Sequence, residues 1–485
     1  MLLSELLSGI ELSSISTGLL PGNIPIEGIL TDTRNHPGGM ERQLYVCIRG
    51  TKADGHQFAE KAEEMGAAAI LCERDTGCRR QILVPDSRKA YALLCANFFG
   101  GQYGKMELVA VTGTNGKTSV ATTVKRLLTY AGVNTGLIST IQAEYGEQKV
   151  ELSRTTPDPW ELHRLLAGMQ ESGITAAAME ASSHALDQDR LYGLRFAVGI
   201  FTNLTQDHLD YHKDMEEYYQ AKRKLFELSE FGVVNVDDEY GRRLASELTI
   251  PFVSCSIQNP EADYYAEKIE CGETGVRFLL CHDHVKSRVE FGIPGLYSVH
   301  NALEAIAACV RLGVSLDTVI AGMKQMGVIR GRNELIETGR PFRVICDYAH
   351  TPDGLENILK STRQYAAGRI VAVFGCGGDR DKGKRPKMGA VAAMYADFLV
   401  ITSDNPRTEN PGAIISGILK GIPPGTRYIV IPERRDAIRY ALTTARKGDT
   451  IILAGKGHEQ YQVLGDKTLY FDERRLVEGI LRTMD

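Results

Sequence analysis

The chain has 485 residues, enough for about three domains at roughly 150 residues each. Hydrophobic residues make up 43% and charged residues 24% of it, as in ordinary globular proteins, and the net charge of −5 excludes the strongly basic surface of a nucleic-acid-binding protein. No stretch approaches the ~20 apolar residues of a membrane-spanning helix, and the N-terminus lacks the basic start of a signal peptide. We therefore expect neither nucleic acid nor membrane as a partner.

The ten cysteines form no CxxC pair, which excludes the usual spacing of a zinc site. Most of them, such as Cys95, Cys309 and Cys346, stand in apolar runs. Buried free thiols are typical of a reducing compartment, so the sequence predicts a cytoplasmic protein.

Residues 1–103 form a first block in which short strands alternate with helices. An apolar run from Leu44 to Ile48 predicts a strand, and GHQFAEKAEEMGAAAILC predicts a helix followed by a strand. The helical run SRKAYALLCANFFG ends at Gly100 and Gly101, a pair typical of a linker. This pattern predicts a small α/β domain.

Residues 104–330 form a second block, which opens on an apolar strand from Leu108 to Val111, a glycine-containing turn and a helix. Two further strand candidates, GITAAAME and AVGIFTNL, alternate with helical stretches. The alternation predicts α/β layers around a mainly parallel sheet.

Residues 331–485 form a third block with the same alternation. Its five strand candidates are FRVICDYA, GRIVAVFG, DFLVITSD, TRYIVIP and GDTIILAG. They predict a doubly wound, Rossmann-like domain whose functional loops follow the carboxyl ends of the strands.

A phosphate-binding loop is predicted where the first strand of the second block meets its helix. Backbone N–H groups and the helix start can surround phosphate oxygens there, Lys117 can neutralise the β- and γ-phosphates, and the Thr118 hydroxyl can ligate Mg²⁺. Val111 stands where the general motif has glycine, so the loop is a shortened variant, and an ordinary glycine-rich turn is the alternative. The loop predicts that a nucleotide binds, but it does not indicate which reaction is catalysed. Its residues are Gly113, Thr114, Asn115, Gly116, Lys117, Thr118 and Ser119.

Acidic and histidine side chains follow the next two strands. Glu180 ends GITAAAME, where a carboxylate near a phosphate loop is a natural Mg²⁺ ligand; an exposed strand end is the alternative. The segment FTNLTQDHLDYH is dense in metal-capable side chains, although a helix-capping loop has the same composition, and a helix containing Lys222 follows it. The metal-capable residues of the segment are Asn203, Asp207, His208, Asp210 and His212.

These segments, in this order, resemble the Mur ligases. The second block contributes TGTNGKTS, MEASSH, TNLTQDHLDYH and YQAKRKLF, and the chain from Tyr297 onward contributes YSVHNA, DYAHTPD, GCGGDRDKGKRP and AGKGHE. TDTR, at Thr31 to Arg34, resembles the family's uridine-binding domain, so the resemblance covers essentially the whole chain. It implies a UDP-binding domain at 1–103, a central P-loop ATPase-type domain at 104–330 and a Rossmann-like amino-acid-binding domain at 331–485.

The resemblance implies a ligase that adds the third residue of the peptidoglycan precursor peptide. ATP phosphorylates the D-glutamyl carboxylate of UDP-N-acetylmuramoyl-L-alanyl-D-glutamate, and the amine of the incoming amino acid attacks the acyl phosphate. ATP and Mg²⁺ are the implied cofactors, the partners are small molecules, and we expect a monomer. The implied catalytic residues are Lys117, Glu180, His208 and Lys222.

Ligand sites follow from the same resemblance. Thr118, Glu180 and His208 are the implied metal ligands, together with Lys222 as a carbamate, which turns a cation into an anion; the residues alone favour an exposed helix lysine. The ATP contacts beyond the loop are Asn301 at the adenine, with Arg332 and Asp347 at phosphate and ribose. The contacts to the UDP-dipeptide are Thr31, Thr33, Thr155, Thr156, Ser182, Gln188 and Arg190.

The DNPR segment indicates which amino acid is added. In the family it resembles the members that take meso-diaminopimelate, whose extra carboxylate an arginine can grip with two charge-assisted bonds. The ammonium of L-lysine would be repelled by Arg407. A simple turn is the alternative for DNPR taken alone. The implied diaminopimelate contacts are Arg380, Asp404, Asn405, Pro406, Arg407, Gly455 and Glu459.

Three other functions are weighed against this one. A lysine-adding relative is disfavoured by Arg407, and a ligase resembling folylpolyglutamate synthase by TDTR and DNPR. A catalytically silent nucleotide-binding protein predicts the loss of Lys117, Glu180 or His208, and all three are present.

Overall fold

The computed structural model describes residues 1–16, 24–34, 39–50, 53–101, 103 and 105–484. Within them the chain forms sheets of five, eleven and six strands and a two-stranded hairpin. Each large sheet lies inside one of the three predicted blocks. The boundaries at 103/104 and 330/331 stay predictions, and Gly104 lies outside the described residues. None of the described helices is long and apolar enough to cross a membrane.

The first block is built on a five-stranded sheet. Its elements are α1 (Leu3–Leu6), β1 (Ser14–Ile15), β2 (Gly28–Leu30), β3 (Gln43–Val46), a 3-10 turn (Gly55–Phe58), α2 (Ala59–Glu64), β4 (Ala69–Cys72), β5 (Gln81–Leu83) and α3 (Ser87–Phe98). The strand order is β1-β5-β4-β3-β2, parallel except for the β1–β5 pair. The Asp86 carboxylate accepts the N–H groups of Arg88 and Lys89 and so begins α3. The strand at β3, the helix and strand at α2 and β4, and the helix α3 are confirmed.

The second block is built on the eleven-stranded sheet. Its elements are β6 (Glu107–Thr112), α4 (Lys117–Tyr130), β7 (Thr135–Ile138), β8 (Ala143–Tyr145), β9 (Gln148–Val150), α5 (Pro159–Glu171), β10 (Ala176–Glu180), α6 (Ser183–Asp187), β11 (Val198–Phe201), α7 (Met215–Glu227), β12 (Gly232–Asn235), α8 (Glu239–Glu247), β13 (Phe252–Ser256), β14 (Tyr264–Gly272), β15 (Gly275–His282), β16 (Val285–Phe291), α9 (Leu296–Arg311) and α10 (Leu316–Met323). The order is β16-β15-β14-β13-β12-β11-β6-β10-β7-β8-β9. The seven neighbouring strands β14-β13-β12-β11-β6-β10-β7 are parallel, which confirms the mainly parallel sheet. Antiparallel strands extend both edges.

Helices cover both faces of this sheet because the apolar residues of β6 point alternately to either side. Val109 and Val111 pack with the buried residues of α4 and α9. Leu108 and Ala110 pack with those of α5 and α7. The central strand is therefore buried on both faces, as its continuous apolar run predicts.

The third block holds the six-stranded sheet. Its elements are β17 (Glu334–Ile336), β18 (Arg343–Asp347), α11 (Pro352–Arg363), β19 (Ile370–Phe374), α12 (Lys384–Tyr395), β20 (Phe398–Ile401), α13 (Pro411–Leu419), β21 (Tyr428–Val430), α14 (Arg434–Thr443), β22 (Thr450–Ala454), β23 (Tyr461–Leu464), β24 (Lys467–Tyr470) and α15 (Glu473–Leu481). The order is β17-β18-β22-β19-β20-β21, and the five predicted strands are parallel. One face packs on α11, α12 and α13 and the other on α14 and α15, so the doubly wound fold is confirmed.

The predicted thiols are also confirmed. All ten cysteines are free; eight are buried, and Cys271 and Cys281 are half-buried.

The carboxyl ends of the parallel strands in the second and third blocks supply many of the predicted site residues, as expected for doubly wound sheets. In the second block the phosphate loop follows β6, and Glu180 ends β10. In the third block Asp347 ends β18, the DNPR segment follows β20, and Gly455 follows β22.

Candidate active site

The phosphate loop connects β6 to α4 in a conformation that requires glycine. Gly113 has φ +149°, and a Cβ at this position would collide with Thr202 Oγ1. Helix α4 begins after Gly116 without a side-chain cap. Its first backbone N–H groups therefore remain available to an anion, in addition to the partial positive charge of the helix start.

Lys117 folds back over this loop. Its Nζ donates to the carbonyl oxygens of Gly113 and Thr114, both at 2.9 Å. Burial lowers the pKa of Lys117, although the Glu180 carboxylate opposes the shift. The ammonium is thus fixed beside the N-terminus of α4, where a phosphate chain would lie.

Glu180 is buried at the end of β10, with a relative exposure of 1%. One oxygen accepts the backbone N–H of Thr140 at 2.7 Å and the other accepts the Thr140 hydroxyl at 3.1 Å. These bonds orient the carboxylate toward the cleft that Glu180 lines.

His208 lines the same cleft and has a left-handed backbone conformation, with φ +57°. Burial lowers its pKa to about 3, although the neighbouring Asp207, 3.5 Å from Nε2, opposes the shift. The imidazole is therefore neutral near pH 7 and keeps a nitrogen lone pair for a ligand.

Lys222 is buried in the middle of α7, with a relative exposure of 1%. Its Nζ donates to the Gly113 carbonyl at 2.7 Å and lies 4.6 Å from the centre of the Tyr218 ring. Burial and the nearby Lys117 hold the pKa of Lys222 well below its usual range. Lys222 is thus no exposed helix lysine, and its surroundings favour the neutral amine.

A single cleft of about 1000 Å³ is lined by Thr118, Glu180, His208 and Lys222. Among the described residues no group of three or more His, Cys, Asp or Glu side chains is arranged to hold a metal ion. Carboxylate and hydroxyl oxygens are nevertheless the donors that Mg²⁺ prefers, so Glu180 and Thr118 fit that ion. Lys222 fits only after its amine has become a carbamate.

The third block closes one side of this cleft. Arg332 Nη2 donates to Thr118 Oγ1 at 2.7 Å, and the Asn115 amide donates to Asp353 at 2.7 Å. Lys384 Nζ lies 3.2 Å from an Asp207 oxygen. Both blocks therefore contribute to the surroundings of the phosphate loop.

Two other predicted nucleotide residues lie behind the cleft surface. Asn301 is 6% exposed, and its Oδ1 lies against Gly116. The Asp347 carboxylate accepts the backbone N–H groups of Asn333 at 2.6 Å and Ala349 at 2.8 Å. Asp347 thus also shapes the backbone that follows β18.

The predicted dipeptide residues divide into two groups. Thr155, Thr156, Ser182 and Arg190 line the cleft, and Arg190 Nη2 holds the Gln188 side chain at 2.7 Å. The exposed Thr31 and the buried Thr33 belong to the first block and are not among the residues that line the cleft.

The predicted amino-acid residues surround the opposite part of the cleft. Arg380, Arg407 and Glu459 line it. Arg407 has φ +51°, and its Nη1 donates to the Gly378 carbonyl at 2.8 Å. The preceding residues Asp404, Asn405 and Pro406 are buried. Gly455 has φ +117°, and a Cβ at this position would lie 2.5 Å from the Asp404 carboxylate, so glycine leaves room for it.

Two cations at this end were missed by the sequence analysis. Lys456 is fully buried, and its Nζ donates to Asn405 Oδ1 at 2.8 Å and to Glu459 Oε2 at 3.1 Å. Its place inside AGKGHE was an available signal. Arg434 is also fully buried and donates to the carbonyl of Ala454. No local sequence pattern indicates this role.

Comparison with known proteins identifies the family. The Mur ligase family catalytic domain matches residues 26–98, the Mur ligase middle domain residues 111–309, and the Mur ligase glutamate ligase domain residues 331–457. The chain belongs to the Mur ligase family and is an ATP-dependent ligase that acts on small molecules.

Relatives are similar over nearly the whole chain. The Clostridium acetobutylicum protein named UDP-N-acetylmuramoyl-L-alanyl-D-glutamate--2,6-diaminopimelate ligase 1 is 43% identical and covers 95% of this chain and 96% of its own. The ligase of the same name from Clostridium tetani is 42% identical, with coverage of 98% and 99%. A solved structure of such a ligase is 30% identical, with a TM-score of 0.70, and covers 100% of this chain and 99% of its own.

Proposed function

We propose that this Mur ligase joins meso-diaminopimelate to the D-glutamyl carboxylate of UDP-N-acetylmuramoyl-L-alanyl-D-glutamate in peptidoglycan precursor synthesis. The observation that carries the proposal is one cleft lined both by the phosphate-loop residue Lys117 and by Arg380, Arg407 and Glu459. In this cleft a carboxylate activated by ATP can meet an amino acid whose far end carries both a carboxylate and an ammonium. The names of relatives at 41–43% identity agree.

The reaction proceeds in two transfers. A γ-carboxylate oxygen of the D-glutamyl residue attacks the γ-phosphorus of ATP, and ADP leaves. The amine of the incoming amino acid then attacks the carbonyl carbon of the acyl phosphate, inorganic phosphate leaves, and the nitrogen loses a proton as it becomes an amide. Because two anions must approach in the first transfer, Lys117 and the α4 N-terminus screen their charges.

Thr118, Glu180 and His208 are the protein groups that would hold Mg²⁺, with Lys222 as its carbamate. When bound, Mg²⁺ supplies further positive charge at the phosphates. The depressed pKa of Lys222 supports carbamylation, because only a neutral amine adds to carbon dioxide. The carbamate would also place a negative charge near the Lys117 cation.

The nucleotide is held by the loop Gly113–Ser119, with Asn301 at the adenine and with Arg332 and Asp347 at phosphate and ribose. The contact of Arg332 with Thr118 supports this assignment, because it brings a second cation to the loop. The contacts between the two blocks would keep water from the acyl phosphate.

The UDP-dipeptide spans the first and second blocks. The muramoyl-dipeptide end is bound by the cleft residues Thr155, Thr156, Ser182 and Arg190, with Gln188 held by Arg190. Thr31 and Thr33 bind the uridine in the first block. This assignment agrees with domain boundaries at 103/104 and 330/331, and we place the enzyme in the cytoplasm as a monomer.

The incoming amino acid is bound by the third block. Arg380 and Arg407 take the distal carboxylate, and Glu459 takes the distal ammonium. Asp404, Asn405, Pro406 and Gly455 shape the loops behind them. L-lysine lacks the carboxylate, so it leaves Arg407 without a partner.

The test is phosphate release with ATP, Mg²⁺ and UDP-N-acetylmuramoyl-L-alanyl-D-glutamate, with meso-diaminopimelate or L-lysine added in parallel. Release with diaminopimelate alone is expected. Release with lysine alone would keep the ligase and overturn the account of Arg407, and release with neither would overturn the proposed reaction.

A further inference from the structure

Five buried or half-buried charges form a row of two ion-paired groups beneath the amino-acid end of the cleft. Arg434 Nε lies 2.7 Å from Glu473 Oε1, Lys456 Nζ lies 3.7 Å from Asp404 Oδ1, and Lys456 Nζ lies 3.1 Å from Glu459 Oε2. The side chains of Arg434, Glu473 and Lys456 are 0% exposed. Only Glu459 of the five lines the cleft.

Arg434 connects the two parts of the row. Its guanidinium donates to the Ala454 carbonyl at 2.9 Å and to the Ser403 carbonyl at 3.4 Å. These carbonyls directly precede Gly455 and Asp404, so one side chain fixes the carboxyl ends of β20 and β22 relative to each other. Burial alone would raise the pKa of Asp404, but the charges of Lys456 and Arg434 outweigh it and lower that pKa.

Lys456 determines how the Glu459 carboxylate is presented. Oε2 of Glu459 accepts both Lys456 Nζ at 3.1 Å and the Asn405 amide at 2.9 Å. Oε1 has only the Tyr461 hydroxyl, at 3.4 Å, as a partner among the described residues. Lys456 also donates to the Tyr461 carbonyl at 2.8 Å, so all its donors are used by the protein.

The signs alternate along the row, from Glu473 through Arg434, Asp404 and Lys456 to Glu459. Three carboxylates and two cations leave one negative charge. Lys456 lies closer to Glu459 than to Asp404, so the two carboxylates share this one cation and the group as a whole stays negative. A net negative group whose cleft-lining carboxylate is oriented, with one oxygen only weakly bonded, favours a cation from the ligand.

We propose that Lys456 and Arg434 are positioning residues for the incoming amino acid: they fix Glu459 and the two loops beside it so that Oε1 receives the substrate ammonium. Neither cation touches the substrate. The inference rests on the proposed function for the identity of the amino acid, and it adds residues that act through Glu459.

The experiment measures initial rates for Lys456→Met and Arg434→Met against both substrates. A charge-assisted hydrogen bond is worth about 1.5–3 kcal/mol, so we expect the KM for meso-diaminopimelate to rise about 10- to 100-fold. The KM for ATP and kcat should change less than about 3-fold. An equal rise in the KM for ATP would overturn the proposal.

A double-mutant cycle separates positioning from a purely structural role. If Lys456 acts through Glu459, then Lys456→Met in a Glu459→Gln background should change the KM for the amino acid less than about 3-fold. Independent, multiplying effects would contradict the proposal. Lys456→Gln, which keeps a polar side chain without the charge, provides the same test if Lys456→Met does not fold.

The matched control is Arg369→Met. Arg369 pairs with Asp449 at 2.6 Å in the same block, away from the cleft. Thermal unfolding should show lost stability with the KM values unchanged. If the wild type turns over with L-lysine and not diaminopimelate, the proposed function fails, yet the cycle remains decisive with L-lysine because that substrate also carries a distal ammonium.

Discussion

The reactivity of a lysine depends on its surroundings, and those of Lys222 lower its pKa and favour the neutral amine. As an ammonium, its buried Nζ would have one stabilising hydrogen bond, to a carbonyl oxygen at 2.7 Å, and a repelling neighbour in Lys117. Conversion to a carbamate relieves the repulsion and supplies two oxygen donors at the phosphate loop.

We therefore expect Lys222→Ala to lose nearly all turnover and to regain part of it with formate or acetate, which can occupy the space of the carbamate. The measurement is phosphate release at increasing carboxylate concentration. Arg223→Ala, on the same helix with its side chain 36% exposed, is the control and should keep its rate. A folded Lys222→Ala protein that no carboxylate rescues would leave the carbamate without support.

Arg407 carries the second prediction at this scale. Arg407→Ala removes the proposed partner of the distal carboxylate, so the KM for meso-diaminopimelate should rise about 10- to 100-fold while the KM for ATP stays within about 3-fold. Steady-state kinetics measure both constants, with the exposed Arg427→Ala as the control. Equal changes in both constants would contradict a specific carboxylate contact.

Sequence reasoning reached residues that belong to short motifs and missed those that act by tertiary proximity. Lys117 and Glu180 stand at a turn and a strand end that alternation alone locates. The sequence did not predict the burial of Lys222, because α7 carries many other charged residues. Arg434 joins Ser403 to Ala454 across two strands that are distant in sequence, so no local pattern could have placed it.

At the scale of elements, α5 carries a histidine whose burial makes stability depend on pH. His163 is 0% exposed, stacks on Tyr103 and shares a 3.3 Å hydrogen bond with its hydroxyl. Burial lowers the pKa of His163 to about 4 from 6.5. His163 therefore takes up a proton near pH 6.5 in the unfolded chain but only near pH 4 in the folded chain.

Folding stability should accordingly fall as the pH decreases from 6.5 toward 4, by about 3 kcal/mol for this group at ~1.4 kcal/mol per pH unit. His163→Phe keeps a ring against Tyr103 and should flatten that part of the curve, measured by urea unfolding at several pH values. His282→Phe, in which a half-buried ring stacked on Tyr264 is replaced, is the control. A His163→Phe curve parallel to the wild type would refute the assignment.

The alternation of strands and helices was sufficient to predict the parallel sheets, but not their full extent. The hairpins β8–β9 and β15–β16 extend the central sheet at its two edges, where pairing depends on which edge is left uncovered. The strand order follows from packing of helices on both faces, which no single segment encodes.

At the scale of the whole molecule, the second and third blocks meet across the phosphate loop through buried polar contacts. Asp207, 4% exposed, lies 3.2 Å from Lys384 of the third block and 3.5 Å from His350. Burial would raise the pKa of Asp207, but His208 and Lys384 outweigh it and hold the pKa well below its usual range. The ionised carboxylate of Asp207 is therefore stabilised as long as Lys384 stays close to it.

Lys384→Met tests whether this contact favours the closed arrangement. Leaving a buried carboxylate without its cation costs about 3–5 kcal/mol, which separation of the two blocks relieves by hydrating Asp207. We expect a larger radius of gyration in small-angle scattering with an ATP analogue bound, and a kcat/KM for ATP lowered about 10- to 100-fold. Lys360→Met, which breaks an exposed pair within α11, should change neither quantity. Because the two blocks need not unfold to separate, the thermal unfolding temperature should change little. A compact Lys384→Met protein with full turnover would show that closure does not depend on this pair.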